Sequence, residues 1–240
     1  MSQLLKELAP TGVLHAAINM GNGLLVTGRA ANGDPTGVSP SMAAAIAERL
    51  GVPLKLTPYA KPGEIADDAD AGKWDIALIG AEPQRAEKIY FTAAYAEIEA
   101  TYLVPAGSPI KTIADVDKPG IRIAVTARAA YDLWLERNIK QATLVHPEKG
   151  ISAFDLFVRD KLDVFASLRP GLLSDVQKLP GSRILDGQFT AVQQAVGTSR
   201  ANAAGSKFLS DFVEEAKKSG LVARFIALHK VHGLSVAGPA

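Results

Sequence analysis

Short apolar runs alternate along the chain with longer segments in which apolar residues recur every three or four positions. The run at 76–79 is apolar throughout and is followed by Gly80, which is typical of a buried strand. Residues 40–50 are rich in alanine and precede Gly51, so this segment predicts a helix that ends at a glycine. Strands that alternate with helices predict an α/β fold with mostly parallel sheets.

Predicted strands and helices alternate as far as residue 219, and two of the strands are candidates for crossings between two lobes. The predicted strands are 13–18, 54–57, 76–79, 95–105, 122–125, 144–146, 162–166 and 189–196, and the predicted helices are 40–50, 62–71, 129–138, 151–160, 172–178 and 205–219. Segments 95–105 and 189–196 are interpreted as crossings between two lobes. We therefore expect one lobe of residues 1–98 with 193–240, and a second lobe of residues 99–192.

The composition narrows the functional classes. A net charge of +1 favours neither nucleic acid nor a membrane surface as a partner. The chain has no cysteine, which excludes disulfides, thiolate metal sites and a cysteine nucleophile. No apolar run approaches the roughly 20 residues of a membrane-spanning helix, so no membrane insertion is expected. Residues 1–10 lack an uninterrupted apolar core, so no signal peptide is recognised.

Motifs for enzymatic chemistry are weak. The histidines are scattered along the chain, and the pair His229 and His232 lacks the HExxH pattern of a zinc site. Neither a GxSxG nucleophile motif nor a Walker A loop occurs. We therefore predict no catalytic residue, no metal site and no cofactor.

An arginine follows the apolar strand at 76–79 after a very short interval. Pro83 cannot donate to a strand ladder and so ends the strand, which leads us to expect Arg85 in the loop beyond it. In an open α/β sheet, ligands bind at the carboxyl ends of the strands, and a guanidinium matches a carboxylate or phosphate. The spacing alone is equally compatible with a solvated surface arginine.

The segment from Trp74 to Tyr95, WDIALIGAEPQRAEKIYFTAAY, resembles the pattern D…G…TxxR…F-S-x-P-Y of the bacterial solute-binding proteins of polar amino-acid ABC transporters, family 3. The resemblance continues in order over nearly the whole chain. It includes a first strand at 11–19, a first helix at 37–51, a segment at 113–125 that is similar to ixDLxGkxvgV, and a closing helix at 212–220. In that family the arginine clamps the ligand's carboxylate, a role that would fall to Arg85.

The resemblance implies a two-lobed periplasmic-binding-protein-like fold of type II. Its two parallel or mixed sheets are flanked by helices, and the ligand is held in a cleft and enclosed by hinge bending at two crossings. It further implies a periplasmic monomer that delivers its ligand to an ABC permease. Because no signal peptide is recognised, a cytoplasmic location stays open.

Three arginines, Arg85, Arg128 and Arg169, fall in cleft loops when matched to the family. Arg128 stands where the family has the glycine of a Gly-Thr or Gly-Ser turn, and Ala129 replaces the hydroxyl residue. Leu168 stands where amino-acid binders carry an aspartate that pairs with the ligand's ammonium group. An apolar residue cannot compensate a buried ammonium, so we predict an anionic, carboxylated ligand rather than an ordinary α-amino acid. The alternative is that Arg128 or Arg169 points into solvent.

The remaining candidates are polar or aromatic residues in the matched loops and crossings. Glu82 replaces the hydroxyl residue of TxxR, and it would pair with an arginine, accept a donor from the ligand, or face solvent. The predicted ligand-binding set is Asn19, Asn22, Gly80, Glu82, Arg85, Tyr102, Arg128, Ala129, Tyr131, Arg169 and Gln193. The asparagines are also typical of turns, and the tyrosines of core edges.

Two other functions are weighed against solute binding. Cyclohexadienyl dehydratases, which act on a carboxylated ring, share the fold and need a general acid. Glu82 is the candidate acid, but neighbouring arginines would keep it ionised, which is the wrong state. A cytoplasmic ligand sensor or orphan binder would suit the missing signal peptide. Capture of the ligand without catalysis is the preferred interpretation.

Overall fold

The computed structural model describes residues 2–240 and divides into two compact units. Unit 1 extends from the N-terminus to Glu97 and from Gln193 to Ala240, and unit 2 is Ile98–Val192. Among these described residues, no helix is both long and apolar enough to cross a membrane.

Within residues 2–240 the helices are α1 Gln3–Leu8, α2 Val38–Leu50, α3 Pro62–Asp67, α4 Pro83–Ala86, α5 Ala130–Asn138, α6 Ala153–Arg159, α7 Arg169–Asp175, α8 Ala203–Lys218 and α9 Leu221–Leu228. The strands are β1 Leu14–Asn19, β2 Gly28–Arg29, β3 Pro35–Thr36, β4 Leu54–Tyr59, β5 Ile76–Gly80, β6 Ile89–Phe91, β7 Ala96–Val104, β8 Arg122–Ala124, β9 Thr143–Val145, β10 Val164–Leu168, β11 Arg183–Ile184, β12 Thr190–Ser199 and β13 Ser235–Val236. The predicted α/β alternation is therefore present.

The sheet of unit 1 is built on β1, which lies between β4 and β5 and is parallel to both. All five residues of β5 are buried, as its continuous apolar sequence predicts for a central strand. Strand β12 pairs with β5 in the antiparallel direction, with Gln194 opposite Gly80. The ends of β1 and β5, at Asn19 and Gly80, therefore lie at one edge of this sheet together with the start of the unit 1 part of β12.

The sheet of unit 2 brings three loops to one edge. Strand β10 is parallel to β8, and β8 is parallel to β9, so their carboxyl ends lie on the same side. The loops that follow lead to α5, α7 and His146. Strand β7 pairs with β10 in the antiparallel direction and places Ala100 opposite Leu168.

Aromatic side chains build the core of unit 2 on both faces of this sheet. On one face the ring of Phe189 lies 4.5 Å from that of Tyr102 and 5.4 Å from that of Trp134. In a second cluster the rings of Phe157 and Phe165 stack at 5.9 Å. Buried rings of this size contribute about 2–3 kcal/mol each by leaving water, which holds α5 and α6 against the strands.

Several predicted boundaries differ from the structure. Helix α2 begins at Val38 after Gly37, two residues before the predicted start at residue 40, and Ser39 in its first turn bonds to the Tyr95 hydroxyl at 3.0 Å. Only glycine fits at position 37, since a Cβ there would lie 2.3 Å from the carbonyl oxygen of Leu25. The predicted helix at 62–71 ends already at Asp67.

Two boundary differences affect candidate residues. Arg85 was expected in a loop, but it lies in α4, a single turn that Pro83 starts at its first position. Arg169 was expected before a helix at 172–178, but it is the first residue of α7, which Pro170 helps to start. In both places a proline ends the strand and, with its fixed φ, begins a helix in the same step.

Candidate functional site

Two asparagines lie at the edge of the unit 1 sheet: Asn19 is the last residue of β1, and Asn22 follows the strand. Asn19 Oδ1 accepts a hydrogen bond from Gly21 N at 3.0 Å, and Asn22 Oδ1 accepts one from Leu24 N at 3.1 Å. Neither residue has a positive φ, so left-handed backbone is not the reason for asparagine here. Because the carbonyl oxygens are engaged in turns, these side chains offer amide N–H donors, which suit an oxyanion.

Arg85 is buried at the same edge, with 5% of its surface exposed. Its Nη1 donates to the carbonyl oxygen of Gly80 at 2.7 Å, which ties the guanidinium to the end of β5. A buried cation is costly unless hydrogen bonds and opposite charge compensate it. The guanidinium is a planar, rigid fork of donors, a geometry that matches a carboxylate.

Glu82 and Gln193 are neighbours of this arginine in the fold. Glu82 is the N-cap of α4 and makes no side-chain capping bond, while its carbonyl accepts from Ala86 N at 2.9 Å. The carbonyl of Gln193 accepts from Ala81 N at 2.7 Å, which fixes Gln193 beside the end of β5. The structure thus brings Asn19, Gly80, Arg85 and Gln193 to one sheet edge, with Glu82 next to them.

Arg128 has an unusual backbone conformation in unit 2. Its φ of 61° lies in the left-handed region, which costs a non-glycine residue about 1–2 kcal/mol. A position that favours glycine agrees with the glycine that the resemblance implied there. Arg128 is exposed in the turn before α5, so this strained backbone position carries a cationic side chain at the surface of unit 2.

Ala129 is the N-cap of α5 and makes no side-chain capping bond, as expected from its missing hydroxyl. Asp132 acts in its place, because its Oδ2 accepts from Arg128 N at 2.7 Å. The other oxygen, Oδ1, lies 2.7 Å from His146 Nε2, so Asp132 joins the turn before α5 to the end of β9. The first N–H groups of a helix lack partners within the helix, which makes this N-terminus favourable for an anion.

The two candidate tyrosines are buried. Tyr131 is 8% exposed, and its hydroxyl bonds to Thr126 and Ser167, while burial raises the pKa of its phenol. Tyr102 is 2% exposed, and burial raises its pKa as well. Both rings belong to the core of unit 2, so Tyr131 supports the turn at Arg128 and Tyr102 supports the sheet.

Arg169 is engaged with an acidic residue that the sequence did not single out. Its Nε donates to Glu99 Oε2 at 2.6 Å, and its Nη2 donates to the carbonyl of Gly187. Glu99 lies on β7, next to the residue that pairs with Leu168. The charge of Arg169 is therefore compensated by Glu99.

Three residues that contact the candidate residues of unit 2, directly or through one another, were not predicted from the sequence: Glu99, Asp132 and His146. Glu99 precedes Arg169 by 70 positions, and Asp132 precedes His146 by 14, so no local motif joins them. Only Asp132 had a recognisable signal in the sequence, because an acidic residue in the first turn of a helix commonly accepts hydrogen bonds from the N–H groups at the helix start.

Two known groups of proteins are similar to this chain in sequence. The sequence profile of the bacterial extracellular solute-binding proteins, family 3, matches residues 26–228. Cyclohexadienyl dehydratase of Pseudomonas aeruginosa is 28% identical over 165 residues, which are 67% of this chain and 60% of that protein. The match thus spans less than two thirds of the length of this relative.

Solved structures show the fold. A mutant of ArgBP from T. maritima has a TM-score of 0.74 at 21% identity, over 95% of this chain and 100% of that chain. A histidine kinase sensor domain with similarity to periplasmic binding proteins has a TM-score of 0.76 at 18% identity, over 94% and 98%. The predicted periplasmic-binding-protein-like fold is confirmed.

Proposed function

Because the chain belongs to the bacterial extracellular solute-binding proteins, family 3, we propose that it captures a small carboxylated molecule and does not change it chemically. The observation that carries this proposal is the buried guanidinium of Arg85 at the carboxyl edge of the unit 1 sheet. A rigid cation with several donors in such a place is suited to bind a carboxylate with two parallel hydrogen bonds.

The other candidate groups have the same chemical preference. Asn19 and Asn22 offer amide donors, because their oxygens are used in turns. In unit 2, Arg128 and the first N–H groups of α5 favour negative charge. We propose that the ligand carries at least one carboxylate and that Arg85 is its main anchor.

We further propose that the ligand has no α-amine, and this part of the proposal depends on Leu168. This apolar residue has no means to compensate an ammonium group. Glu99 is the nearby carboxylate, but Arg169 binds it at 2.6 Å. An amine-bearing ligand would have to compete with Arg169 for Glu99, which supports a ligand without this group.

Delivery to a membrane permease and a location outside the cytoplasm complete the proposed role. The location is proposed because the family consists of extracellular solute-binding proteins, and the permease because the sequence resembles the solute-binding proteins of amino-acid ABC transporters. The protein is proposed to act as a monomer with the ligand as its only small-molecule partner. A sensor role is the alternative, because a histidine kinase sensor domain has a similar fold.

A second candidate function is dehydration of a carboxylated ring. The similarity to cyclohexadienyl dehydratase favours it. This reaction needs an acid at the leaving hydroxyl group. Glu82, as the N-cap of α4 beside Arg85, is the residue to test, and Glu82→Gln should abolish any turnover of a carboxylated cyclohexadienol. Binding of that compound without turnover by the unaltered protein would exclude this function.

A thermal-shift screen tests the proposed function. Dicarboxylates, keto acids and aromatic acids are compared with the common amino acids. A ligand at one hundred times its Kd stabilises the folded state by about 2.7 kcal/mol, which raises Tm by about 5–10 °C for a chain of this size. We expect the hits among carboxylates without an α-amine. Hits confined to amino acids would contradict the assigned ligand class.

Arg85→Lys then tests the anchor by isothermal titration with the best hit. Lysine keeps the charge and loses the planar fork, so we expect affinity to fall at least about tenfold. Arg49→Lys is the matched control, because Arg49 is an exposed arginine of the same unit that pairs with Glu215. Equal affinities of the two variants would refute the role of Arg85.

A further inference from the structure

The end of β9 and the first turns of α5 bring a histidine and two carboxylates together in unit 2. Asp132 and Glu136 are four residues apart, so they lie on the same face of α5. His146 follows β9 and approaches this face. One donor atom from each of the three side chains lies within 4.8 Å of the other two.

We propose that Asp132, Glu136 and His146 form a binding site for a divalent transition-metal ion of the Zn²⁺ class. Zn²⁺ lies about 2.0–2.2 Å from imidazole nitrogen and carboxylate oxygen, so two ligand atoms at a tetrahedral angle are about 3.4 Å apart. His146 Nε2 and Asp132 Oδ1 are 2.7 Å apart, a hydrogen-bond distance, so the two atoms would have to separate by about 0.7 Å to hold the ion between them. A neutral imidazole that binds the ion through Nε2 carries its proton on Nδ1, and the ion would take the place of the His146–Asp132 hydrogen bond.

Burial and support favour a site over a chance cluster. Asp132 is 1% exposed, and Arg128 N donates to the oxygen that does not face His146, which fixes the carboxylate orientation. Glu136 and His146 are exposed, so they have room to adjust by the small distance that coordination needs.

The ligand types select the ion. An imidazole with two carboxylates suits Zn²⁺ and its neighbours, whereas Mg²⁺ and Ca²⁺ prefer oxygen ligands alone. Two carboxylates and a neutral imidazole carry a charge of −2, which a divalent cation neutralises. Three protein ligands leave a position for water or for a ligand oxygen.

Isothermal titration of chelator-treated protein with ZnCl₂, and visible absorption with CoCl₂, test the site. We expect one equivalent to bind to the unaltered chain. Because loss of a group that merely orients a metal ligand costs about 10–100-fold in affinity, loss of a ligand itself should cost at least about 100-fold. His146→Gln and Glu136→Gln are therefore both expected to lose tight binding. Glu136 is exposed, so Glu136→Gln should keep the melting temperature of the metal-free protein. His146→Gln removes a hydrogen-bond partner of the buried Asp132 and should lower that temperature, so Glu136→Gln is the variant that separates metal binding from folding.

His15→Gln is the matched control. His15 Nδ1 lies 3.8 Å from Asp75 Oδ2, which gives a second histidine and aspartate pair outside the proposed site. Its removal should leave Zn²⁺ affinity unchanged. The proposal is overturned if the unaltered chain binds no equivalent of Zn²⁺, or if His146→Gln and Glu136→Gln bind it as well as His15→Gln does. Because this test uses the metal alone, its result is independent of the carboxylate ligand.

Discussion

Replacing Arg128 by glycine separates the contribution of this residue to the fold from its contribution to ligand binding. Its φ of 61° costs about 1–2 kcal/mol for a side chain with a Cβ. Glycine removes this cost but adds about 0.5–1 kcal/mol of chain entropy to the unfolded state. The net expectation is a gain of about 0.5–1 kcal/mol in the free energy of unfolding.

Binding is expected to change in the opposite direction. Loss of a charged donor costs about 1.5–3 kcal/mol, so affinity for the carboxylate ligand should fall about 10–100-fold. Urea unfolding measures the first quantity, and isothermal titration with the hit from the ligand screen measures the second. Stability that rises while affinity falls would identify Arg128 as a strained residue retained for the ligand.

Lys161→Gly is the matched control for the same strain. Lys161 is exposed in the same unit with a φ of 48°, so glycine should stabilise the fold there by a similar amount. Its ligand affinity should stay at that of the unaltered chain. If Arg128→Gly and Lys161→Gly both leave affinity unchanged, the assignment of Arg128 to ligand binding is refuted. A loss of stability confined to Arg128→Gly would instead assign the arginine side chain to the fold.

Two further predictions concern carboxylates of unit 2. Hydrogen bonds from the backbone, with Ala142 N the strongest contributor, lower the pKa of Asp117, so its stabilising effect is present above the unfolded pKa of about 3.9 and is lost as the pH falls through the folded pKa. Asp117→Asn should therefore lower the free energy of unfolding by about 1–2 kcal/mol at pH 7 and by progressively less below pH 4. Urea unfolding at several pH values measures this difference, and a difference that does not depend on pH would contradict the reasoning. Glu99→Gln removes the charge that compensates Arg169. Isothermal titration should therefore show tighter binding of a carboxylate ligand and weaker binding of any ligand that bears an amine. Unchanged affinity for both ligands would place Glu99 and Arg169 outside the binding site.

Much of the fold was predictable because its signals are local. The apolar run before Gly80 predicts β5, and Gly51, with a φ of 69°, ends α2 as its position in the sequence indicates. Errors arose where one residue has two roles. Pro83 follows the strand it was expected to end, but it also starts α4, which contains Arg85. Pro170 lies in the first turn of α7, so Arg169 belongs to that helix.

The candidate site was predictable in its arginines and not in their partners. The order of motifs along the chain pointed to Arg85, Arg128 and Arg169, because each follows the end of a predicted strand. Their partners are set by the sheet. Glu99 reaches Arg169 because β7 and β10 pair in the antiparallel direction, and sequence distance carries no information about that register.

The sequence by itself determined the α/β class, the family and the places where cations follow strands, since these depend on periodicity, turn residues and motif order. Only the tertiary structure decided that Arg85 is buried against Gly80, that Glu99 compensates Arg169, and that His146 meets Asp132. The physical reason is that burial and charge pairing depend on which side chains the strand order brings within a few ångströms. That order arises from packing of the whole chain and not from any local segment.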